Sequence, residues 1–243
     1  MSEPHDPKDP DRIAAMAGDR RLRAVADDLL VTSSRYRYSY NFTWLGRPII
    51  QYPQDIVALQ EVVWRVRPEV IVETGVAHGG SLVLSASLLE LLGGDRFVVG
   101  IDIEIRAHNR KAIESHPLAG RIVLEEGSST DPKVAERVAE HARGRRTMVV
   151  LDSNHTADHV LQELELYSPL VSPSSYLIVF DTVVERMPDD FFPDRPWGPG
   201  DSPATAVARF LESTDEFAVD DELDGKLLVT VAPGGYLRRR GDP

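Results

Sequence analysis

The chain has 243 residues, of which 27 are Lys or Arg and 39 are Asp or Glu, giving a formal charge of −12 with 42% hydrophobic residues. That length suits one globular domain, and the acidic balance argues against a nucleic-acid partner or an anionic membrane, both of which need clustered basic side chains. With no cysteine, disulfides, thiolate metal sites and cysteine nucleophiles are excluded, which suits a reducing compartment.

The first 20 residues open with MSEPHDPKDPDR, polar and proline-rich, and are expected to be a flexible tail. They lack the apolar centre of a signal peptide, and no apolar run reaches the ~20 residues of a membrane span, so a cytoplasmic protein is expected. Residues 21–68 read as a helical and aromatic lead-in, with a helix over 55–66, to a single domain reaching residue 243. VIVE (70–73) is then a β-branched strand, followed by a turn and the helical spacing of SLVLSASLLELLGG. The pattern recurs: RFVVGID before a helix over 106–115, RIVLEE before a helix over 131–142, and TMVVLD before a helix over 157–170. YLIVFD (176–181) supplies a fifth strand. Apolar strands without alternation suit a parallel sheet covered on both faces, so the fold class is α/β, a doubly wound Rossmann-like sheet. Residues 182–203 are a long loop rich in proline, acids and aromatics, and such loops are usually functional. A helix over 204–213 follows, and then FAVD and KLLVTVAP (226–233), expected to pair as an antiparallel end to a seven-stranded sheet.

Chemistry is expected at the carboxyl ends of the strands, where such sheets bind nucleotide-like ligands. The loop ETGVAHGGS carries Glu73, Gly75, Gly79 and Ser81; its glycines allow close backbone approach, and the helix start offers N–H groups to a carboxylate. Its spacing differs from G-x-G-x-x-G, which speaks against a dinucleotide. Asp102 ends the second strand, where an acid accepts hydrogen bonds from ribose hydroxyls. EEGSSTD, with Ser128 and Ser129, sits where an adenine ring would lie, and equally reads as a helix N-cap. Asp152 ends the fourth strand with His155 three residues on, a carboxylate and a base for one ligand. Asp181 ends the fifth strand and joins Asp152 as a pair suited to Mg²⁺. His155 and His159 are spaced as a transition-metal clip, without a third ligand at a familiar spacing. His78 either touches a ligand or fills a variable position.

These blocks resemble a family: the cephalosporin-hydroxylase-type proteins, which have class I S-adenosylmethionine methyltransferase folds and include rhamnosyl and other sugar O-methyltransferases. The resemblance covers about residues 40–240 and rests on TWLGRPIIQYPQD, VETGVAHGGS, VVGIDIEIRAHNR, EEGSS, LDSNHTADHVLQELELYSPLV, YLIVFDTVVE and KLLVTVAPGGYLRR. The glycine motif is also similar to that of catechol-type O-methyltransferases. The resemblance implies that Glu73, Gly75, Gly79 and Ser81 hold the methionine part of S-adenosylmethionine, Asp102 its ribose, and Ser128 and Ser129 its adenine. It further implies that Asp152 and Asp181 hold Mg²⁺, that His155 is the base, and that the protein is a homo-oligomer. Metal-dependent relatives place two adjacent acids at the end of the fifth strand, whereas here Phe180 precedes Asp181. The expected activity is methyl transfer to a hydroxyl of a deoxysugar or glycosylated natural product, with Phe191, Phe192 and Trp197 covering the acceptor. A Rossmann oxidoreductase, an iron hydroxylase using His155 and His159, and a non-catalytic cofactor-binding protein are the alternatives.

Overall fold

Two apolar layers sandwich a sheet whose strands bury both faces. The computed structural model describes residues 9–241. Strands β3 (Val70–Thr74), β4 (Phe97–Asp102), β5 (Ile122–Glu126), β6 (Thr147–Leu151) and β7 (Tyr176–Val179) are parallel. β8 (Phe217–Val219) and β9 (Tyr236–Arg239) complete the sheet in the order β5-β4-β3-β6-β7-β9-β8, with β9 antiparallel to both neighbours. A small hairpin, β1 (Phe42–Trp44) with β2 (Arg47–Ile49), lies apart from this sheet.

Successive strand residues feed opposite layers. Ile71, Val98, Met148 and Ile178 pack beneath α3 (Pro53–Val66) and α4 (Gly80–Leu92). Val70, Val72, Val99, Val149 and Leu177 pack with α6 (Pro132–Ala142), α7 (Ala157–Tyr167) and α8 (Pro203–Ser213). Burying each such side chain contributes about 1.5–3 kcal/mol, which is why the strands show no polar alternation. α5 (Ala107–Glu114) follows β4. Among the described residues no helix is long and apolar enough to cross a membrane.

Two expectations about the ends of the chain fail. Of the expected tail, residues 1–8 lie outside the described residues, but Pro10–Gly18 forms helix α1, capped by Asp9. α1 packs on α9 (Asp221–Lys226), with Ile13 against Gly225. α2 (Arg20–Ser34) follows at once. The run KLLVTVAP is not a strand; Tyr236–Arg239 takes the place expected for it. The cause is Asp55 on α3, a fully buried carboxylate that accepts the Thr230 hydroxyl and, at 3.0 Å, the Val231 N–H. Bonded there, the run crosses the end of the sheet, and Val229 and Val231 pack beside Tyr52.

Candidate functional site

The carboxyl ends of β3, β6 and β7 open into a cavity of about 820 Å³, within the range of small-molecule sites. Its floor is the glycine loop after β3. Gly75 has φ +92°, and a Cβ there would stand 2.0 Å from the Asp152 carbonyl oxygen, so only glycine lets the two strand ends meet. Gly80 is fixed by contact rather than conformation: its Cβ would meet the Pro48 carbonyl at 2.1 Å, which presses the β1–β2 hairpin onto the start of α4. No side chain caps that helix, whose N-cap is Gly79, leaving N–H groups and the positive end of the helix dipole beside the cavity.

The loop is held from three sides. Arg47 on β2 donates to the His78 carbonyl at 3.0 Å and to Asn109 Oδ1 at 3.0 Å, and Asn109 Nδ2 donates to the Ala77 carbonyl at 2.8 Å. Asp102 accepts from the N–H groups of Val76 at 2.9 Å, Ala77 at 3.3 Å and Glu104 at 3.1 Å. A carboxylate takes about four donors, so Asp102 keeps capacity for one more.

Glu73, buried on β3, has Ser85 3.5 Å from Oε2 and Oε1 without a partner among the described residues. Burial pushes its carboxyl up to about 7, against the opposing hydrogen bonds of Ser81 and Ser85. The orphaned oxygen, with Ser81 and the uncapped start of α4, fits the ammonium and carboxylate of an amino-acid group.

Asp152 is half-buried, and its Oδ2 accepts from Gln51 Nε2 at 3.2 Å. Burial, and then the charges of Asp181, Glu73 and Glu163, push its carboxyl well above the usual range. A carboxyl raised by a neighbouring carboxylate fits a hard cation beside it, with water completing the shell. Among the described residues no group of three or more His, Asp or Glu is arranged to hold a metal, so any ion there leans on water. Asn154 is committed elsewhere, its Oδ1 accepting from Thr156 N–H at 2.9 Å.

Asp181 adopts φ +56°, which turns its carboxylate to the cavity while Phe180 buries against Tyr236. His155 Nε2 lies 3.4 Å from Asp181 Oδ2, and its ring meets Trp197 edge-on at 4.8 Å. Phe191 and Phe192, from the 182–203 loop, also line the cavity.

The remaining expectations divide. His155 precedes α7 and faces Asp181, whereas His159 Nε2 lies 3.1 Å from Ser129 Oγ and 3.3 Å from Ser153 Oγ, so the two do not form a clip. Ser128 bonds Thr130 at 2.9 Å, and neither Ser128 nor Ser129 lines the cavity. The alternative reading of this segment as a helix N-cap holds: Asp131 caps α6, its side chain accepting from Lys133 N–H. Arg47, Gln51 and Asn109 escaped sequence reasoning; Gln51 and Asn109 are nearly fully buried polar side chains, a signal that appears only with the fold.

A family model described as rhamnosyl O-methyltransferase/CmcI matches residues 36–240. A rhamnosyl O-methyltransferase of Mycobacterium bovis is 30% identical over 203 residues, covering 81% of this chain and 78% of its own. Its namesake in Mycobacterium leprae is 26% identical over 201 residues, covering 82% of this chain and 83% of its own. Among solved structures, apo CmcI-N160 superposes with TM-score 0.58 at 21% identity, over 84% of this chain and 78% of that one. An O-methyltransferase from Bacillus cereus in complex with SAH superposes with TM-score 0.51 at 15% identity, over 99% of this chain and 94% of that one. The two structural likenesses establish a shared fold.

Proposed function

The chain belongs to the rhamnosyl O-methyltransferase/CmcI family, and from that premise we propose that it methylates a hydroxyl of a sugar or glycoside at the cavity above β3, β6 and β7. S-adenosylmethionine supplies an electrophilic methyl on a sulfonium that leaves as a thioether. The observation that carries the reading is the convergence of Gly75, Ser81, Asp152, His155 and Asp181 on one cavity, with Glu73 just beneath.

The residues divide the work. Glu73, Ser81, Gly75 and Gly79 bind the methionine portion, and the remaining capacity of Asp102 serves the ribose. Adenine, extending from the ribose beyond the cavity, would lie along the loop after β5 that carries Ser128 and Ser129. Asp152 and Asp181 hold Mg²⁺, whose charge would orient and acidify the acceptor hydroxyl. His155 takes the hydroxyl proton as the carbon–oxygen bond forms, and Asp181 stabilises the resulting imidazolium. Phe191, Phe192 and Trp197 cover the sugar face and exclude water, and alignment of oxygen, methyl and sulfur supplies much of the rate. Val25 and Leu29 on α2, with Tyr36 after it, expose apolar surface that suits a homo-oligomer.

Titration calorimetry of the protein with S-adenosylmethionine and with NAD tests the cofactor class. Binding of the first without the second is expected, followed by labelled methyl transfer to a rhamnoside. A folded sample that binds no S-adenosylmethionine would refute the reading.

A further inference from the structure

The strand order β5-β4-β3-β6 puts two strands between the loop after β5 and the loop after β6, so no sheet hydrogen bond joins the two loops. The first carries Ser129, and the second carries Ser153 next to Asp152. What joins them is one face of α7. His159, Glu163 and Tyr167 recur there four residues apart and so project to the same side of the helix. His159 Nε2 lies 3.1 Å from Ser129 Oγ and 3.3 Å from Ser153 Oγ. The Ser153 hydroxyl donates to Glu163 Oε1 at 2.6 Å, and the Tyr167 hydroxyl donates to the Ser129 carbonyl at 2.8 Å.

Stability alone does not account for this polar stripe. Glu163 and Tyr167 are fully buried, Ser129 is nearly so, and Glu163 Oε2 has no partner among the described residues. A buried carboxyl with one oxygen unpaired opposes folding, and apolar side chains of similar size hold a helix on a sheet at least as well. Val160 and Leu164 of the same helix already do so. The stripe therefore contributes geometry. The single hydroxyl hydrogen of Ser153 goes to Glu163, so its oxygen meets His159 as an acceptor and Nε2 carries the ring hydrogen. Glu163 reaches only Ser153 and Tyr167 only Ser129, whereas His159 offers one N–H to both loops.

We propose that His159 is a positioning residue for the cofactor: it fixes the spacing of the loops after β5 and β6, and through Ser129 it holds the first of them against the nucleoside half of S-adenosylmethionine. This rests on the methyl-transfer reading and deepens it. The two histidines of the segment then divide the ligands between them. His155 faces Asp181 and the acceptor, while His159 faces the serines of the cofactor loops. Loss of His159 raises the dissociation constant of the cofactor and leaves turnover at saturating cofactor nearly unchanged.

The test compares the full chain with two variants. His159→Leu fills much of the ring's volume without a donor, and His159→Gln restores an N–H at similar reach. Calorimetry with S-adenosylmethionine and with 5′-methylthioadenosine, which has the nucleoside without the amino-acid end, reads affinity. Hydrogen exchange over residues 127–131 of the free protein reads the loop, and labelled methyl transfer to a rhamnoside reads turnover. His159→Leu is expected to weaken both ligands about tenfold, the weight of two hydrogen bonds. Its loop amides exchange faster, and its kcat stays within about threefold. His159→Gln is expected to stay within about threefold of the unsubstituted protein in affinity. Unchanged affinity or unchanged loop exchange in His159→Leu, a kcat loss without an affinity loss, or a Gln variant as weak as the Leu variant would each overturn the proposal. Failure of the unsubstituted protein to bind S-adenosylmethionine sinks methyl transfer and this proposal with it, whereas binding that is indifferent to His159 sinks this proposal alone.

Discussion

His155 Nε2 stands 3.4 Å from Asp181 Oδ2, and the same ring meets Trp197 at 4.8 Å between centroids, so the imidazole is held between a carboxylate and an indole. An imidazole so held needs little reordering to act as the base proposed above. Replacing it with alanine is expected to lower kcat by about 10²–10³-fold, the usual weight of a positioned general base, with S-adenosylmethionine affinity within about twofold. Initial rates with labelled cofactor, alongside calorimetry, measure both. A kcat near that of the unsubstituted protein would place the base elsewhere.

Asp152 and Asp181 repel one another as carboxylates, so a divalent cation is expected to stabilise the fold as well as the reaction. At Mg²⁺ about tenfold above its dissociation constant, the gain is about 1.4 kcal/mol, or roughly 3–6 °C in Tm for a chain of this size. Differential scanning fluorimetry with and without Mg²⁺ reads it directly. Asp152→Asn and Asp181→Asn should each abolish the Mg²⁺ increment, and asparagine tolerates the left-handed backbone at position 181. An equal rise in both variants would place the cation elsewhere.

Burial pushes the Asp55 carboxyl up to about 6, against hydrogen bonds from Thr230, the Val231 N–H and Tyr236. A raised folded-state pKa means that the native protein keeps a proton the unfolded chain gives up. Between pH 4 and 6 this group therefore makes stability fall as pH rises, by about 2–3 kcal/mol over the window. Asp55→Asn removes that contribution. Urea unfolding at pH 4 to 7 should show a flatter profile for the variant below pH 6, and parallel profiles would contradict the assignment.

Two glycines with similar backbone angles should respond very differently to alanine. Gly46, at φ +86°, has open space around its missing Cβ, so Gly46→Ala pays only the left-handed penalty of about 1–2 kcal/mol. Gly75, at φ +92°, would drive its Cβ into the Asp152 carbonyl at 2.0 Å. Gly75→Ala is expected to cost about 3 kcal/mol or more and to lose measurable cofactor binding. Unfolding midpoints and calorimetry compare the two variants, and equal costs would refute the contact.

The strands from β3 to β7 and the helices between them were legible because a sheet covered on both faces demands unbroken β-branched runs. The strand ends were legible for the same reason: Glu73, Asp102, Asp152 and Asp181 are the acids at which those runs stop. What was hidden depended on partners far along the chain. KLLVTVAP looks like a strand until Asp55, on a helix before the first sheet strand, captures Thr230 and Val231. Tyr236–Arg239 does not look like one, because its arginines mask a segment whose Tyr236 and Leu237 are fully buried. Pro10–Gly18 reads as tail because its composition is polar, although Asp9 caps it and α9 receives its apolar side. Arg47, Gln51 and Asn109 are ordinary polar letters until the hairpin and α5 close on the glycine loop.

The contact between Gly80 and the Pro48 carbonyl has a practical corollary for dividing this molecule. Every strand of the large sheet lies after residue 69, so a shortened chain beginning at Pro53 would retain the strands of the sheet while stripping Ile49, Phe42 and Trp44 from one apolar layer. It would nonetheless lose one wall of the cavity, the Arg47 brace on His78 and the Gln51 donor to Asp152. The hairpin, which adds no strand to the large sheet, thus shapes the candidate site as much as the strands do.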